Sequence, residues 1–416
     1  MATPFFYYLA TLVMQFGGKK EDLFMMKKMV SLLLTAALAV GTLAGCGSAE
    51  TGAKGDAGSA SNGSVFKIGG IGPTTGAAAL YGLAVQRGAQ IAVDEINEAG
   101  GINGVKIEYK FEDAQHDAEK SVNAYNSLKD WGMQALMGTT TTTPCIAVAE
   151  KTAEDGMFEI TPSASSVDVI ANDNVFQVCF TDPNQGSASA QYIFDNKMAE
   201  KVAVIYNSSD VYSSGIRDTF VAKAEELGLE VVADEAFTDD AKTDFTAQLL
   251  AAQNGGADLV FLPFYYTEAS IVLTQAAAKG YAPTFFGVDG MDGILDVENF
   301  DTKLAEGVML LTPFAADATD DATVSFVTKY EEEYKETPIQ FAADAYDAIY
   351  VIKAAMEKAG VTPDMSVDEM GTALSEAMTT ITVDGLTGAG MTWDASGAVN
   401  KAPKAVVIKD GAYAGL

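Results

Sequence analysis

The sequence predicts an α/β protein built from two doubly wound lobes, each with a parallel sheet. Short apolar strands alternate with amphipathic helices, and the alternation occurs in two series that start near Val65 and Val202. With 416 residues, of which 48% are hydrophobic and 20% charged, the chain is long enough for two cores. In such folds a ligand binds in the crevice beyond the carboxyl ends of the strands.

The first series begins with a strand at 65–68, which runs into a glycine-rich turn. Apolar residues then recur at helical spacing until Gly100 and Gly101 end the pattern. The turn has the spacing GxGxxxG and no lysine after it, so a tight turn is favoured over a nucleotide site. Further strands are predicted at 105–111, 135–137 and 157–160.

The second series continues the same alternation, and two long helices and a hairpin follow it. Its predicted strands are 202–206, 229–232, 259–262 and 283–287, and its predicted helices are 215–227, 243–253 and 267–278. The tail contributes helices at 322–335 and 341–358 and a hairpin-like end at 391–408. We expect the tail to complete the two lobes, with lobe 1 at 65–182 plus 313–393 and lobe 2 at 183–312 plus 394–416, so that three crossings form the hinge.

Composition restricts the function. Asp and Glu number 57 against 26 Lys and Arg, and a net charge of -31 repels nucleic acid and anionic membrane surfaces. One histidine and three cysteines cannot form a Cys/His zinc site or a paired-cysteine scaffold. His116 lies in an acid-rich polar segment that predicts a solvated loop, and the sequence has no GxSxG elbow. We therefore expect a protein that is not an enzyme and has no cofactor or metal.

The N-terminal segment has the layout of a secretory signal. Lys27 and Lys28 precede an apolar run at 29–40 that is too short to span a bilayer. The string Leu43-Ala44-Gly45-Cys46 resembles the bacterial lipobox, which implies cleavage before Cys46 and a lipid on its thiol. We expect residues 1–45 to be a cleaved signal region whose true start is Met25 or Met26, and 46–64 to be a flexible Gly/Ser/Ala-rich tether. An ordinary signal peptide with an incidental cysteine is the alternative.

Hydroxyl side chains cluster at two predicted strand ends. Residues 139–143 are five threonines directly before a helix, and 163–166 read Ser-Ala-Ser-Ser after another strand. Amides at a helix start together with hydroxyls can hold a carboxylate, although each string alone fits simple capping. Lobe 2 supplies aromatic residues at comparable places, Tyr212 and Tyr265, and a carboxylate, Asp289, that could receive an ammonium group.

Several further motifs give the chain a family resemblance that runs from about residue 65 to the C-terminus. The chain resembles the leucine/isoleucine/valine-binding proteins, type I periplasmic binding proteins that serve ABC importers. The motifs are Ile71-Gly72-Pro73-Thr74-Thr75-Gly76, Tyr81-Gly82, Arg87-Gly88-Ala89, Ala92-Val93-Asp94-Glu95-Ile96-Asn97, Gly100-Gly101-Ile102-Asn103-Gly104, Thr161-Pro162-Ser163-Ala164-Ser165, Ala345-Tyr346-Asp347-Ala348 and Gly385-Leu386-Thr387-Gly388.

The resemblance implies a non-enzymatic, extracytoplasmic receptor that captures an amino acid, branched-chain or another small aliphatic one, and delivers it to the membrane permease of an ABC importer. By position it assigns the α-carboxylate and α-amine to two hydroxyl-rich strings, the ammonium to an acidic residue of lobe 2, and the cleft lining to aromatic residues. These residues are Thr141, Thr142, Ser163, Ala164 and Ser165; Asp289; and Tyr81, Tyr212 and Tyr265. Asp289 stands where leucine-binding members have a glutamate. A short amide or urea ligand, a sensor without transport, and an amidase or esterase lipoprotein remain as alternatives.

Overall fold

A computed structural model describes residues 64–416, and the predicted signal region, Cys46 and nearly all of the tether lie outside them. The strands form two sheets. The first has five parallel strands in the order β2-β1-β3-β4-β5. Its strands are β1 (Phe66–Gly72), β2 (Ile107–Asp113), β3 (Ala135–Gly138), β4 (Glu159–Thr161) and β5 (Val175–Gln177).

The second sheet has seven strands in the order β12-β11-β10-β9-β8-β6-β7. It is parallel from β6 to β10, and the last two strands add an antiparallel hairpin at its edge. Its strands are β6 (Lys201–Asn207), β7 (Glu230–Phe237), β8 (Leu259–Leu262), β9 (Thr284–Gly287), β10 (Met309–Thr312), β11 (Lys404–Lys409) and β12 (Ala412–Gly415).

Ten α-helices are described in residues 64–416, and they pack on both faces of the sheets. They are α1 (Ala79–Glu98), α2 (Ala118–Trp131), α3 (Thr142–Asp155), α4 (Asp182–Asp195), α5 (Val211–Leu227), α6 (Thr246–Gly255), α7 (Tyr266–Ala278), α8 (Asp321–Tyr334), α9 (Gln340–Ala359) and α10 (Val367–Met378). Within this part of the chain, no helix combines the length and apolar character that crossing a bilayer requires.

The alternating direction of side chains along each strand explains why helices cover both faces of each sheet. In β3, Ala135 and Met137 join the apolar cluster that contains α1 and α9, whereas Leu136 joins the cluster that contains α2. Side chains of successive strand residues point to opposite faces, so a strand that is apolar throughout needs helices on both sides. The α/β doubly wound architecture predicted from the sequence is therefore confirmed.

The C-terminal hairpin lies elsewhere than predicted. The sequence predicts a hairpin at 391–408, but around Met391 and Trp393 the structure has only isolated bridges, to Val383 and Val399. The hairpin is β11–β12, and its turn is at Asp410 and Gly411, both with positive φ. An Asp-Gly pair is a strong hairpin turn because both residues tolerate that backbone conformation.

Candidate functional site

Two loops of the first sheet meet at the carboxyl ends of β3 and β4. Thr161 joins them: its hydroxyl donates to the Thr139 carbonyl at 2.6 Å and accepts from the Ala164 amide at 2.9 Å. The Ser163 hydroxyl donates to the Thr140 carbonyl at 2.6 Å. These hydrogen bonds fix the start of α3 beside the serine-rich string. The first amides of a helix have no partner within it, so this corner offers N–H donors to an anion.

The second sheet contributes a carboxyl group, that of Asp289, two residues after β9. Asp289 is 3% exposed, and its Oδ1 accepts a hydrogen bond from the Tyr212 hydroxyl at 2.6 Å. The same hydroxyl accepts from the Gly290 amide at 2.9 Å. The Gln340 side-chain amide donates to the Asp289 carbonyl at 2.9 Å, and the Asp289 amide donates to Gln185 at 3.3 Å. Within residues 64–416, the hydrogen-bond partners of Asp289 are thus all neutral.

Electrostatics at Asp289 favour a cationic partner. Burial raises the pKa of Asp289 to about 6, while the hydrogen bonds from Tyr212 and Gln185 oppose this shift. Among the ion pairs of the described residues, none includes Asp289. A carboxylate without a cation in a desolvated position gains strongly from a bound ammonium group.

Aromatic rings surround this carboxyl group. The rings of Tyr212 and Tyr265 stack with centroids 5.0 Å apart, and Tyr81 stacks on Phe341 at 4.1 Å. The Tyr81 hydroxyl donates to the Gly290 carbonyl, which links α1 to the loop after β9. Burial raises the pKa values of Tyr81, Tyr212 and Tyr265 well above the usual range, so these hydroxyls stay neutral donors.

One cavity between the two sheets collects most of the site residues named from the sequence. Six of them line it together with three residues that the sequence did not single out as ligand contacts. The predicted six are Thr141, Thr142, Ser163, Tyr212, Tyr265 and Asp289, and the further three are Thr140, Gly290 and Phe341. The cavity has a volume of about 10 Å³. This is close to the room that one water molecule needs.

Three of the named residues lie around this cavity without lining it. Tyr81 packs behind Phe341. The Ala164 amide is used by the Thr161 hydroxyl, and the Ser165 hydroxyl donates to Asp182 at 2.6 Å. Ala164 and Ser165 are both fully buried. In this arrangement their polar groups therefore serve the loop and its contact with the start of α4.

His116 lies in a turn, as its acidic sequence context predicts, but it is half-buried rather than fully solvated. Its Nδ1 lies 2.9 Å from the Thr141 hydroxyl, and its ring meets the ring of Tyr265 edge-on. Burial lowers the pKa of His116. Thr141 and Tyr265 come from remote parts of the chain, so no local pattern could have revealed this position.

The two remaining cysteines add no further chemistry to the cavity. Cys145 and Cys179 are free and buried, and burial raises the pKa values of both thiols. In the described part of the chain, no group of three His, Cys, Asp or Glu side chains is arranged to hold a metal ion. The site is therefore one of hydroxyls, amides, aromatic rings and a single buried carboxyl group.

A fold of two doubly wound sheets with a polar cavity between them defines a solute-binding protein of the cleft type. The chain belongs to the periplasmic binding protein family, whose model matches residues 65–412. This family consists of substrate-binding receptors and not of enzymes, and it acts outside the cytoplasm.

Individual relatives agree with this assignment. A Leu/Ile/Val-binding protein homolog of Brucella melitensis is 31% identical over 71% of this chain and 80% of its own length. The leucine-binding protein LivK of Thermotoga maritima is 27% identical, with a TM-score of 0.75 over 85% of this chain and 98% of that structure. LivJ of Streptococcus pneumoniae, solved with isoleucine, is 28% identical with a TM-score of 0.76 over 84% and 97%. The resemblance found in the sequence is confirmed.

Proposed function

We propose that the cavity captures one small aliphatic amino acid, with its α-ammonium at Asp289 and its α-carboxylate at the start of α3. The observation that carries the proposal is the buried Asp289, which has neutral hydrogen-bond partners and faces the hydroxyl-rich loops across the cavity. The relatives whose names specify leucine, isoleucine or valine support the choice of ligand class.

The carboxylate end of the ligand would use neutral donors. Thr142 begins α3, and Thr141 precedes it with its hydroxyl next to His116. Backbone amides and hydroxyls at a helix start can hold an anion without a buried cation, and the helix dipole adds to the attraction. These donors distinguish an amino acid from an amide, because an amide has no negatively charged carboxylate to offer them.

Calorimetric titration of the purified chain against leucine, isoleucine, valine, leucinamide and urea tests this assignment. We expect 1:1 binding of at least one of the three amino acids and at least tenfold weaker binding of leucinamide, which keeps the ammonium but lacks the carboxylate. An amide or urea that binds more tightly than every amino acid would replace the amino acid as the ligand. A melting-temperature screen is an independent readout, because a ligand at about 100 times its Kd stabilises by roughly 2.7 kcal/mol.

We propose that residues 1–45 are removed on export and that a lipid on Cys46 anchors the chain to the outer face of the membrane. The lipobox-like string and the Gly/Ser/Ala-rich segment after it support this reading. Cys46→Ser should move the protein from the membrane to the soluble fraction, whereas the neighbouring Ser48→Ala should leave it on the membrane. Retention of Cys46→Ser in washed membranes would contradict the lipid anchor.

In this account the loaded receptor delivers its ligand to the permease of an ABC importer. The family assignment supports a role in transport. The sequence motifs that resemble those of leucine/isoleucine/valine-binding proteins support an importer of the ABC class. Deletion of the gene should abolish uptake of the bound amino acid at low external concentration. Unchanged uptake together with a lost transcriptional response would instead make the chain a sensor.

A further inference from the structure

Gln340 is a buried residue that connects α9 to the loop after β9. It is the first residue of α9 and is 1% exposed. The helix itself packs against α1, as the close approach of Gly88 and Ala342 shows. The backbone amide and the side chain of Gln340 nevertheless bond to the second sheet and to the loop after β9. One residue thus joins the helix pair α1–α9 to the part of the chain that carries Asp289.

The segment from Asp289 to Asp292 is a tight turn, and Gln340 holds both of its ends. The Asp292 amide closes the turn by donating to the Asp289 carbonyl at 2.9 Å. The side-chain amide of Gln340 donates to the same carbonyl at 2.9 Å, and the Gln340 backbone amide donates to Asp292 Oδ2 at 2.7 Å. The position of the turn relative to α9 is therefore set by two hydrogen bonds from a single residue.

A third contact fixes the orientation of the Gln340 side chain. The Asp289 carbonyl can only accept a hydrogen bond, so the NH2 group of Gln340 must face it and leave Oε1 on the other side. Oε1 accepts from the hydroxyl of Thr312 at 2.7 Å, and Thr312 is the last residue of β10 and 2% exposed. Buried polar groups that lose a partner cost free energy, so these contacts support one another.

We propose that Gln340 is a positioning residue that holds the carboxyl group of Asp289 at the ammonium end of the amino-acid cavity. The inference rests on the proposed function, in which Asp289 receives the α-ammonium of the ligand. Gln340 does not line the cavity, whereas its neighbour Phe341 does, so Gln340 acts through the Asp289 backbone. A turn released from Gln340 can shift, and a charge-assisted hydrogen bond weakens when its geometry deteriorates. The carboxylate end of the ligand, at the start of α3, should not be affected.

Calorimetric titration of Gln340→Met with two ligands tests this role. Methionine has a similar length and no donor or acceptor of comparable strength, so it removes both side-chain contacts and keeps the backbone bond to Asp292. The ligands are leucine and 4-methylpentanoate, its analogue without the ammonium group. We expect leucine to bind about threefold or more weakly than to the wild type, and 4-methylpentanoate affinity to change by less than about twofold. In an Asp289→Asn background, Gln340→Met should have little further effect on leucine binding.

Gln134→Met is the matched control for loss of a buried glutamine. Gln134 is 9% exposed and also bridges two backbone groups, because its Oε1 accepts from the Lys67 amide at 3.1 Å and its Nε2 donates to the Pro363 carbonyl at 2.9 Å. It lies away from the cavity, so its substitution should lower the melting temperature and leave leucine affinity unchanged. If Gln340→Met fails to fold, Thr312→Val removes only the contact that orients the Gln340 side chain. It should weaken leucine binding selectively in the same way, by a smaller factor.

The outcomes separate this inference from the proposed function. If Asp289→Asn weakens leucine binding selectively but Gln340→Met does not, or if Gln340→Met weakens both ligands equally, the positioning role is overturned and the proposed function stands. The positioning role is also overturned if Gln340→Met acts as strongly in the Asp289→Asn background as in the wild type. If the wild type and Asp289→Asn bind leucine equally well, the proposed function fails and the positioning role fails with it.

Discussion

Asp289 is subject to two opposing influences at the scale of single atoms. Burial disfavours its charged form and raises its pKa to about 6, whereas the Tyr212 hydroxyl donates to the carboxyl group and favours the charge. At neutral pH the group is therefore mainly ionised, and within residues 64–416 it forms no ion pair. An incoming ammonium group supplies the missing charge, and this is the physical reason for placing the α-amine there.

The raised pKa of Asp289 predicts a pH dependence of amino-acid binding. An α-ammonium group binds the ionised carboxylate, so affinity should be constant above about pH 7 and fall by up to tenfold per unit below about pH 6. Titration calorimetry with leucine at about pH 7.5, 6 and 5 measures this. The Asp289→Asn variant is the control and should bind weakly without this slope. Constant wild-type affinity down to about pH 5 would contradict an ionised Asp289 as the ammonium partner.

Some residues of the site can be predicted from the sequence, and others can be identified only from the three-dimensional structure. Thr142 and Asp289 could be found because each follows a strand with a recognisable pattern. Phe341 could not, because it lies on a helix far along the chain and reaches the cavity only through the packing of α9. The same holds for His116, which meets Thr141 and Tyr265 in space alone.

At the scale of elements, strong periodicity made most strands and helices predictable. The strand β8 was predicted with its observed bounds, and α8 and α9 were each placed to within one residue. The prediction missed the short strands β5 and β10, and it missed the helices α2 and α4, of which α4 has a largely small and polar sequence. It also missed α10, although the Ser366 and Glu369 capping box at its start was a readable signal.

Close approach of two helices gives a prediction for Gly88 in α1. A β-carbon there would lie 2.0 Å from the Ala342 carbonyl oxygen of α9, so any side chain forces the helices apart. Gly88→Ala should lower the free energy of unfolding by about 1–3 kcal/mol, as overpacked sites do. Gly215→Ala is the matched helical control, because its β-carbon has ordinary van der Waals room, and it should stabilise by roughly 0.4–1 kcal/mol. Denaturant unfolding measures the free energy of unfolding of each variant. An equal value for Gly88→Ala and the wild type would refute the close packing of α1 and α9.

At the scale of the whole molecule, the account requires the two lobes to separate for ligand entry. The cavity of about 10 Å³ is lined from both sheets and admits no amino acid as it stands. We propose that the lobes rotate about the three crossings near residues 182, 312 and 393. A ligand that contacts both lobes stabilises the closed arrangement because it binds that arrangement more tightly.

Small-angle X-ray scattering tests this motion. Saturating leucine should reduce the radius of gyration of the chain, because it shifts the population from separated to closed lobes. The Asp289→Asn variant, at the same leucine concentration, should show a smaller change. An unchanged scattering profile for a wild-type sample shown by calorimetry to be saturated would contradict lobe closure.

The most direct test of the central claim pairs one substitution with one change in the ligand. Wild type and Asp289→Asn are each titrated calorimetrically with leucine and with 4-methylpentanoate, which has the same carboxylate and side chain but no ammonium group. If Asp289 holds the ammonium, the substitution should cost about 2–5 kcal/mol of leucine binding and change 4-methylpentanoate binding by less than about 0.5 kcal/mol. Equal losses for both ligands, or leucine binding that the substitution leaves intact, would contradict the account.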